Sequence, residues 1–316
     1  LTGYILQKIG YALLTLIGVV TVIFLLFTIL PGDPARMMLG QNENAEQIAI
    51  VKKKYGFDQP VGLQYLQYIN DLSPISVHST NPFDYSFLSE EKYQAAKLFT
   101  MGSKTLVLKF PYLRESFQKN GKKVSTVIAE TLPNTVILAV SAICIAMLLG
   151  VFLGIISVLC RDGWIDKTIQ LVSTFGMSVP SFFSAILFAW LFGFVLHDYT
   201  GLNMTGSLYE VDDFGAGKYI QWKNLILPAI VLGIRPLAVV SQLMRNSLLE
   251  VLNQDYIRTA KAKGLSFYKI IKRHALKNSL NPVVTAISGW FASMLAGAVF
   301  VEYIFGWNGL GKEIVD

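Results

Sequence analysis

Five stretches of this chain are apolar and about as long as a lipid bilayer is thick, and no other feature restricts its fold so strongly. A helix needs roughly 20 mainly apolar residues to cross the hydrocarbon core. Residues 9–30 supply 22 without a charge and end on the turn signal Pro31-Gly32-Asp33-Pro34. Residues 134–160 form a second uncharged run, 168–196 a third with Pro180 inside it, 225–244 a fourth interrupted by Arg235-Pro236, and 282–301 a fifth. Proline within a helix removes a backbone hydrogen bond, so a kink is predicted at Pro180, tolerated because neighbouring helices satisfy the freed carbonyl. The first block is too long for the apolar core of a signal peptide, and no small-x-small cleavage site follows it, so it reads as an uncleaved helix. With 53% apolar and 15% charged residues the chain has ample surface to bury, which excludes disorder, and two cysteines exclude a disulfide scaffold.

Lysine and arginine near the ends of the blocks set the orientation. Residues 161–167 carry two basic residues in seven, and 245–277 carry eight in 33. Between them, 197–223 has only Lys218 and Lys223 against Asp198, Glu210, Asp212 and Asp213. Placing both basic segments in the cytoplasm puts the N-terminus inside and residues 31–133 outside. The whole chain holds 27 Lys+Arg and 21 Asp+Glu, net +6. Segment 245–277 holds eight basic and two acidic residues, and the 19 and 19 left elsewhere cancel. The basic excess therefore belongs to one loop and is no nucleic-acid footprint spread over a domain.

Helices in lipid associate through small residues that let backbones approach. Ala142, Ala146, Gly150 and Gly154 recur at steps of four in the second block, and Gly289, Ser293 and Gly297 do so in the fifth. Each set falls on one helix face, which predicts a compact bundle with both faces in use.

No enzyme signature is present: there is no HExxH, no GxSxG and no Gly-rich phosphate loop. His78, His197 and His274 fall in different loops on opposite sides of the predicted membrane, so no shared metal site is expected. Cys144 and Cys160 lie about 24 Å apart along one predicted helix, too far to bridge, and are expected to pack as buried apolar residues. Arg235, inside the fourth block, is costly in lipid and must find the bundle interior, water or an anion. Two readings stand for it: it lines a translocation path and attracts a carboxylate, or it snorkels or pairs with a neighbouring subunit.

Segment 250–277 reads as a helix over 255–263, a turn at Gly264 and a second helix capped by Ser266. Ala260 and Gly264 leave a small patch flanked by Arg258, Lys261 and Lys263, with Leu265, Phe267 and Tyr268 around the turn. Anionic lipid would account for the lysines. An exposed small-residue notch beside aromatics fits a protein groove better.

These residues resemble a known family. Asp255-Tyr256-Ile257-Arg258-Thr259-Ala260-Lys261-Ala262-Lys263-Gly264-Leu265-Ser266, followed by Arg273-His274-Ala275-Leu276-Lys277-Asn278, is similar to the cytoplasmic coupling loop of ABC importer permeases. The closest resemblance is to the dipeptide/oligopeptide/nickel permease family, and within it to the first of the two paired permeases. Leu30-Pro31-Gly32-Asp33-Pro34, Tyr55-Gly56-Phe57-Asp58-Gln59-Pro60, Thr131-Leu132-Pro133-Asn134-Thr135 and Ser178-Val179-Pro180-Ser181-Phe182 match the family in order. So does Val301-Glu302-Tyr303-Ile304-Phe305-Gly306-Trp307-Asn308-Gly309-Leu310-Gly311.

The resemblance implies an all-α multi-pass protein of the bacterial inner membrane, a type-I importer-like helix bundle with a long external loop between helices 1 and 2. It implies a first helix over 1–30, an external loop over 31–133 and a permease core over 134–316 with its coupling loop at 245–280. It further implies a second homologous permease, two cytoplasmic ATPases that hold the ATP and Mg, and an external substrate-binding protein. The chain itself would carry no cofactor, metal or catalytic residue and would contact no nucleic acid. Arg258, Ala260, Lys261, Lys263, Gly264 and Leu265 are the expected ATPase-coupling residues. The chain departs from the pattern in three ways. Arg258-Thr259-Ala260 stands where the wider superfamily has Glu-Ala-Ala, an insert at about 74–108 is expected to form a small external cap, and a sixth helix is missing, which reads as truncation. The competing classes are an intramembrane enzyme or lipid-handling protein using Arg235, which lacks a catalytic pair, and a stand-alone channel, which would have no use for the coupling segment.

Overall fold

Between the first two apolar blocks the chain folds into short helices and a small sheet. The computed structural model describes residues 2–29, 33–39, 44–82, 84–89, 92–119, 121–211, 217–296 and 298–316. Leu30-Pro31-Gly32, Asp212, Asp213 and Gly297 lie outside the described residues. The chain divides into two units, Leu1–Val127 and Ile128–Asp316.

The first unit opens with one long helix, Thr2–Ile29, followed by shorter helices Pro34–Leu39, Ala45–Tyr55 and Val61–Leu72. Ala45–Tyr55 carries its own start and stop signals. The Asn44 side chain accepts from the Glu46 N–H, Lys52 to Lys54 occupy the last turn, and Gly56 closes it at φ +72°. Then follows an antiparallel sheet in the order β1 (Ile75–Ser79), β3 (Lys104–Lys109), β2 (Ala95–Met101). Gly102 turns β2 into β3 at φ +60°, the positive value that the first position of a type II′ hairpin turn needs. The insert expected to form a cap is therefore a sheet.

Apart from Val107, this sheet is polar on its packed face. Ser76, His78, Thr105 and Lys109 are buried, while their neighbours Ile75, Val77 and Leu108 are exposed. The inward polar groups surround Asp71, which is 2% exposed. Tyr93 OH donates to Asp71 Oδ1 at 2.9 Å, Arg114 Nε to Oδ2 at 2.9 Å, and Tyr112 N to its carbonyl at 2.8 Å. Lys109 Nζ also donates to the Asp71 carbonyl. Burial, together with the nearby Glu115 and Asp71 carboxylates, pushes the Tyr112 phenol up to about 12, whereas burial and the neighbouring Lys109 ammonium hold His78 below its ordinary value.

In the second unit the helix Val124–Leu159, which begins in the first, continues with Trp164–Ser178, Ser181–Phe188 and the π-helical Ala189–Val195. After a two-stranded ribbon, β4 (Tyr209–Val211) and β5 (Lys218–Ile220), comes Lys223–Leu252, against which Trp164–Ser178, Ser181–Phe188, Leu276–Leu295 and Val299–Phe305 pack. The molecule is mostly helical. This agrees with the expected helical membrane fold, to which the structure adds two small sheets that the sequence reading did not include.

Among the described residues three helices, beginning at Thr2, Val124 and Lys223, are long and apolar enough to cross a membrane, or up to five if each of two bent pairs is one span. One pair bends by 105° between Ser178 and Ser181, where Pro180 was predicted to kink the third block. The other, Phe267–Leu295 with Val299–Phe305, bends by 57°. Arg235-Pro236 does not interrupt the fourth block: Lys223–Leu252 runs through both Pro228 and Pro236 for 30 residues. Packing on several sides holds the helix where its own hydrogen bonds are missing.

The stripe Ala142, Ala146, Gly150 and Gly154 is buried. A Cβ on Gly150 would lie 2.7 Å from Val240 Cγ1, and one on Gly154 would lie 2.6 Å from Met244 Cβ, so both glycines let the helix close on Lys223–Leu252. The second stripe differs. Gly289 and Ser293 are exposed, and nothing lies within 4 Å of a Cβ built on Gly289. Among the described residues, only the first stripe is packed within this chain. Cys144 is likewise exposed rather than buried, because it lies off the packed face of its helix, and Cys160 follows the helix end.

Candidate functional site

The basic segment folds as an amphipathic unit with its apolar row turned inward. Gln254 precedes the helix Asp255–Ala262, on which Ile257 and Ala260, three residues apart and hence on one face, are 0% and 5% exposed. Next come the turn at Lys263-Gly264, the short helix Phe267–Ile270 and a π-helical turn, Ile271–Ala275, that leads into Leu276–Leu295. Ile257, Ala260, Ile270 and Ala275 share one core with Met244 and Leu248 of the Lys223–Leu252 helix, and Leu265 packs against it.

What remains outside is basic and aromatic. Arg258, Lys261, Lys263, Lys269, Lys272 and Arg273 are exposed, together with Tyr256, Phe267 and Tyr268. Lys272 lies over the Tyr268 ring at 5.8 Å, and Asn278 Nδ2 donates to Tyr256 OH at 2.9 Å. Arg258 meets Asp255 at 3.3 Å, an exposed pair that contributes little to stability. The open notch expected from Ala260 and Gly264 is not formed. Ala260 faces the bundle because it shares the buried face of Ile257. Gly264 alone is exposed, at φ +76° with nothing within 4 Å of a Cβ, so its constraint is backbone conformation rather than space.

Two buried carboxylates brace the bundle, the first of them behind this surface. Asp166 is 1% exposed and accepts two bonds from Arg245, Nε to Oδ1 at 2.8 Å and Nη2 to Oδ2 at 2.7 Å, a bidentate pair. Ser157 Oγ, Gln170 Nε2 at 2.9 Å and Asp162 N at 3.1 Å complete its shell. Three helices are thereby tied at the point where the basic segment leaves the bundle.

Glu302 is fully buried in a different setting. Thr135 Oγ1 donates to its Oε1 at 2.8 Å, Gly311 N to Oε2 at 2.6 Å and Lys312 N to Oε2 at 3.2 Å. Trp307 Nε1 donates to the Asn134 carbonyl at 3.1 Å, and Asn134 Nδ2 to that of Asn308 at 2.7 Å. Two motifs separated by more than 160 residues, Thr131–Thr135 and Val301–Gly311, thus meet in one network. Thr135 and Ser157 belong to the same helix, 22 residues or about 33 Å apart, so the two networks sit at opposite ends of it.

Sequence reasoning quoted Thr135 and Glu302 only as parts of motifs and passed over Asp166 and Ser157. The one available signal was a lone acidic residue at the start of an apolar helix. Arg235 is exposed, bordering a recess formed with Ser181, Trp290, Ser293 and Phe300, and it has no hydrogen-bond or ion-pair partner among the described residues. His78 and His197 each bond locally, to Ser76 and Ser86 and to Leu202, and no group of three His, Cys, Asp or Glu is placed to hold a metal among the described residues.

Fold and site together describe a multi-pass, mostly helical membrane protein with a basic surface braced by a buried ion pair. The family described as "Binding-protein-dependent transport system inner membrane component" matches residues 146–316, and "Binding-prot-dependent transport system membrane comp, N-term" matches residues 1–94. The chain belongs to this family; it is a transport permease component of the inner membrane and not itself an enzyme. It is similar to the dipeptide transport system permease protein DppB of Lactococcus lactis subsp. cremoris, 30% identical over 99% of this chain and 86% of that one. It is also similar to DppB of Alkalihalophilus pseudofirmus (29%, 99% and 87%) and to the glutathione transport system permease protein GsiC of Salmonella choleraesuis (30%, 99% and 86%). Among solved structures, the inward-facing MetNI methionine ABC transporter is similar at a TM-score of 0.45 and 14% identity, over 60% of this chain and 79% of that chain.

Proposed function

We propose that the chain is the first of two paired permeases in an ATP-driven importer of small peptides. Its N-terminus and its 255–273 surface would face the cytoplasm, where two ATPase subunits hold the ATP and Mg and an external binding protein delivers cargo on the other side. The peptide reading is supported by relatives named for dipeptides and for glutathione, itself a small peptide.

The observation that carries the coupling role is the division of one short segment into two faces. Arg258, Lys261, Lys263 and the aromatics Tyr256 and Tyr268 are open to a partner, while Ile257, Ala260, Ile270 and Ala275 are locked into the core of Lys223–Leu252. A partner gripping the outer face moves the inner face with it, because a packed core transmits displacement rather than absorbing it. Lys263 and Gly264 form the tip, and Leu265 ties the tip back to the core.

Gly264→Trp, in the assembled transporter, is expected to leave ATP hydrolysis running while peptide uptake falls to background. Gly264→Ala separates bulk from backbone conformation, since Ala at this φ costs about 1–2 kcal/mol. Uptake at the wild-type level in the tryptophan variant would remove the segment from coupling.

Arg235 fits the translocation path in this reading, since it is exposed on a recess and has no partner among the described residues to neutralise it. Arg235→Gln is expected to raise the peptide concentration needed for half-maximal uptake, through loss of a carboxylate partner. An unchanged concentration dependence and rate would assign Arg235 a packing role only.

A further inference from the structure

The Val61–Leu72 helix ties the side chains of Gln64, Asn70 and Asp71 to neighbours within the first unit and leaves Leu63 and Leu66 open. Gln64 Nε2 donates to the carbonyls of Phe57 at 3.2 Å and Gln59 at 2.7 Å. Asn70 exchanges two bonds with Val77, at 3.0 and 2.9 Å. Asp71, the helix's one charged residue, is turned inward and paired with Arg114. Leu63 and Leu66, three apart on one face, are 43% and 64% exposed, and Val61 at the start of the helix is also exposed.

The opposite side of this helix is fastened to the first membrane-spanning helix. Tyr65 OH lies 2.6 Å from Thr21 Oγ1, and the Phe24 ring lies 5.2 Å from that of Tyr65 and 5.7 Å from that of Tyr68. These contacts report depth. The uncharged part of the span, from Ile9 to the helix end at Ile29, is 21 residues long. At 1.5 Å per residue that is about 31 Å, close to the roughly 30 Å of a hydrocarbon core. Thr21 and Phe24 are eight and five residues before Ile29. They therefore sit about 12 and 8 Å inside the end of the apolar span. Whatever touches them side-on is at that depth or just above it.

We infer that the Val61–Leu72 helix lies within the bilayer, at the boundary of headgroups and acyl chains in the leaflet at the C-terminal end of the first span, with Leu63 and Leu66 in lipid. An interfacial helix buries its apolar face about 5–10 Å into that boundary, which matches the depth set by Thr21 and Phe24. Tyr65 and Tyr68 occupy the zone where tyrosine is enriched. The internally bonded Gln64 and Asn70 suit a position where water is scarce, since unpaired amides there are costly. A soluble protein is a poor occupant of this face, because reaching Leu66 would require it to enter the hydrocarbon. The external sheet is thereby tethered to the membrane surface through the helix that immediately precedes it.

The test uses the assembled transporter in proteoliposomes, with Cys144 and Cys160 replaced and uptake verified. Leu66→Cys carries a fluorophore, and Lys53→Cys, exposed on the Ala45–Tyr55 helix, serves as the reference. Phosphatidylcholine with a nitroxide near the headgroup end of its acyl chain is compared with aqueous iodide as quencher. The expected result is lipid-over-iodide quenching severalfold greater at Leu66 than at Lys53. Iodide quenching equal at the two sites would overturn the inference, and so would a Leu66 probe that neither quencher reaches, since a protein then covers the face. Leu66→Trp read with brominated lipids repeats the measurement should the label disturb the helix. None of these readouts depends on cargo or coupling, so the proposed function can fail while this placement stands, and the reverse.

Discussion

Two small-residue stripes with the same spacing meet opposite fates in this molecule. Ala142, Ala146, Gly150 and Gly154 are buried against Lys223–Leu252 so closely that no Cβ fits at either glycine. Gly289 and Ser293 repeat the spacing on a helix that also packs against Lys223–Leu252, yet they lie open beside Trp290. A step of four between small residues tells that a helix can be approached closely. Whether the approaching element belongs to the same chain depends on how the helices are turned. The used stripe also continues one turn further, to Ser157 and the Asp166–Arg245 pair, so close packing and ion pairing act on the same face.

The largest effect on this contrast is expected where the buried stripe ends. Arg245→Met strands the Asp166 carboxylate without its cation, and removing one partner of a buried pair typically costs about 3–5 kcal/mol. Thermal unfolding of the purified transporter should show it, and adding Asp166→Leu should recover much of the loss. A double variant no better than the single one would mean that the pair is not what holds these helices.

Next is Gly154→Ala. Its added methyl group meets the Ser241 carbonyl at 2.8 Å, a backbone atom that cannot swing away. Overpacking of this kind costs about 1–3 kcal/mol, read as a lower unfolding temperature. The smallest effect belongs to the open stripe: Gly289→Leu is expected to change the chain's own stability by no more than about 0.5 kcal/mol. If the second permease seats on this face, the same variant should still weaken co-purification of the pair. Equal destabilisation by Gly154→Ala and Gly289→Leu would erase the distinction between the stripes.

Much of the architecture was legible because membrane crossing imposes a simple rule of length and apolarity. The first, second and fourth blocks appear as long helices, and Pro180 marks the sharpest bend. Reading failed where neighbours decide. The fourth block was read as interrupted at Arg235-Pro236, yet its helix runs through both residues, since packing on several sides supports the backbone there. The sheet of the first unit escaped notice because, Val107 apart, its buried residues are polar, Ser76, His78 and Thr105 among them, which blurs the usual alternation. At the candidate site, basic charge and turn chemistry located the segment, but Ala260 was assigned to the wrong side. A residue type does not reveal which face of a short helix the bundle claims.

The chain's composition along its length thus determined that it lives in a membrane, roughly where it crosses, and that its excess positive charge gathers in one segment. These are local properties, set by what a stretch of 20 residues can do in lipid. Only the tertiary structure decided that Asp166 meets Arg245, that Glu302 joins Thr135 across more than 160 residues, and that one stripe is used while its twin stays open. Those outcomes depend on helix rotation and long-range contact, where every residue's surroundings come from distant parts of the chain. No spacing rule within one helix encodes them.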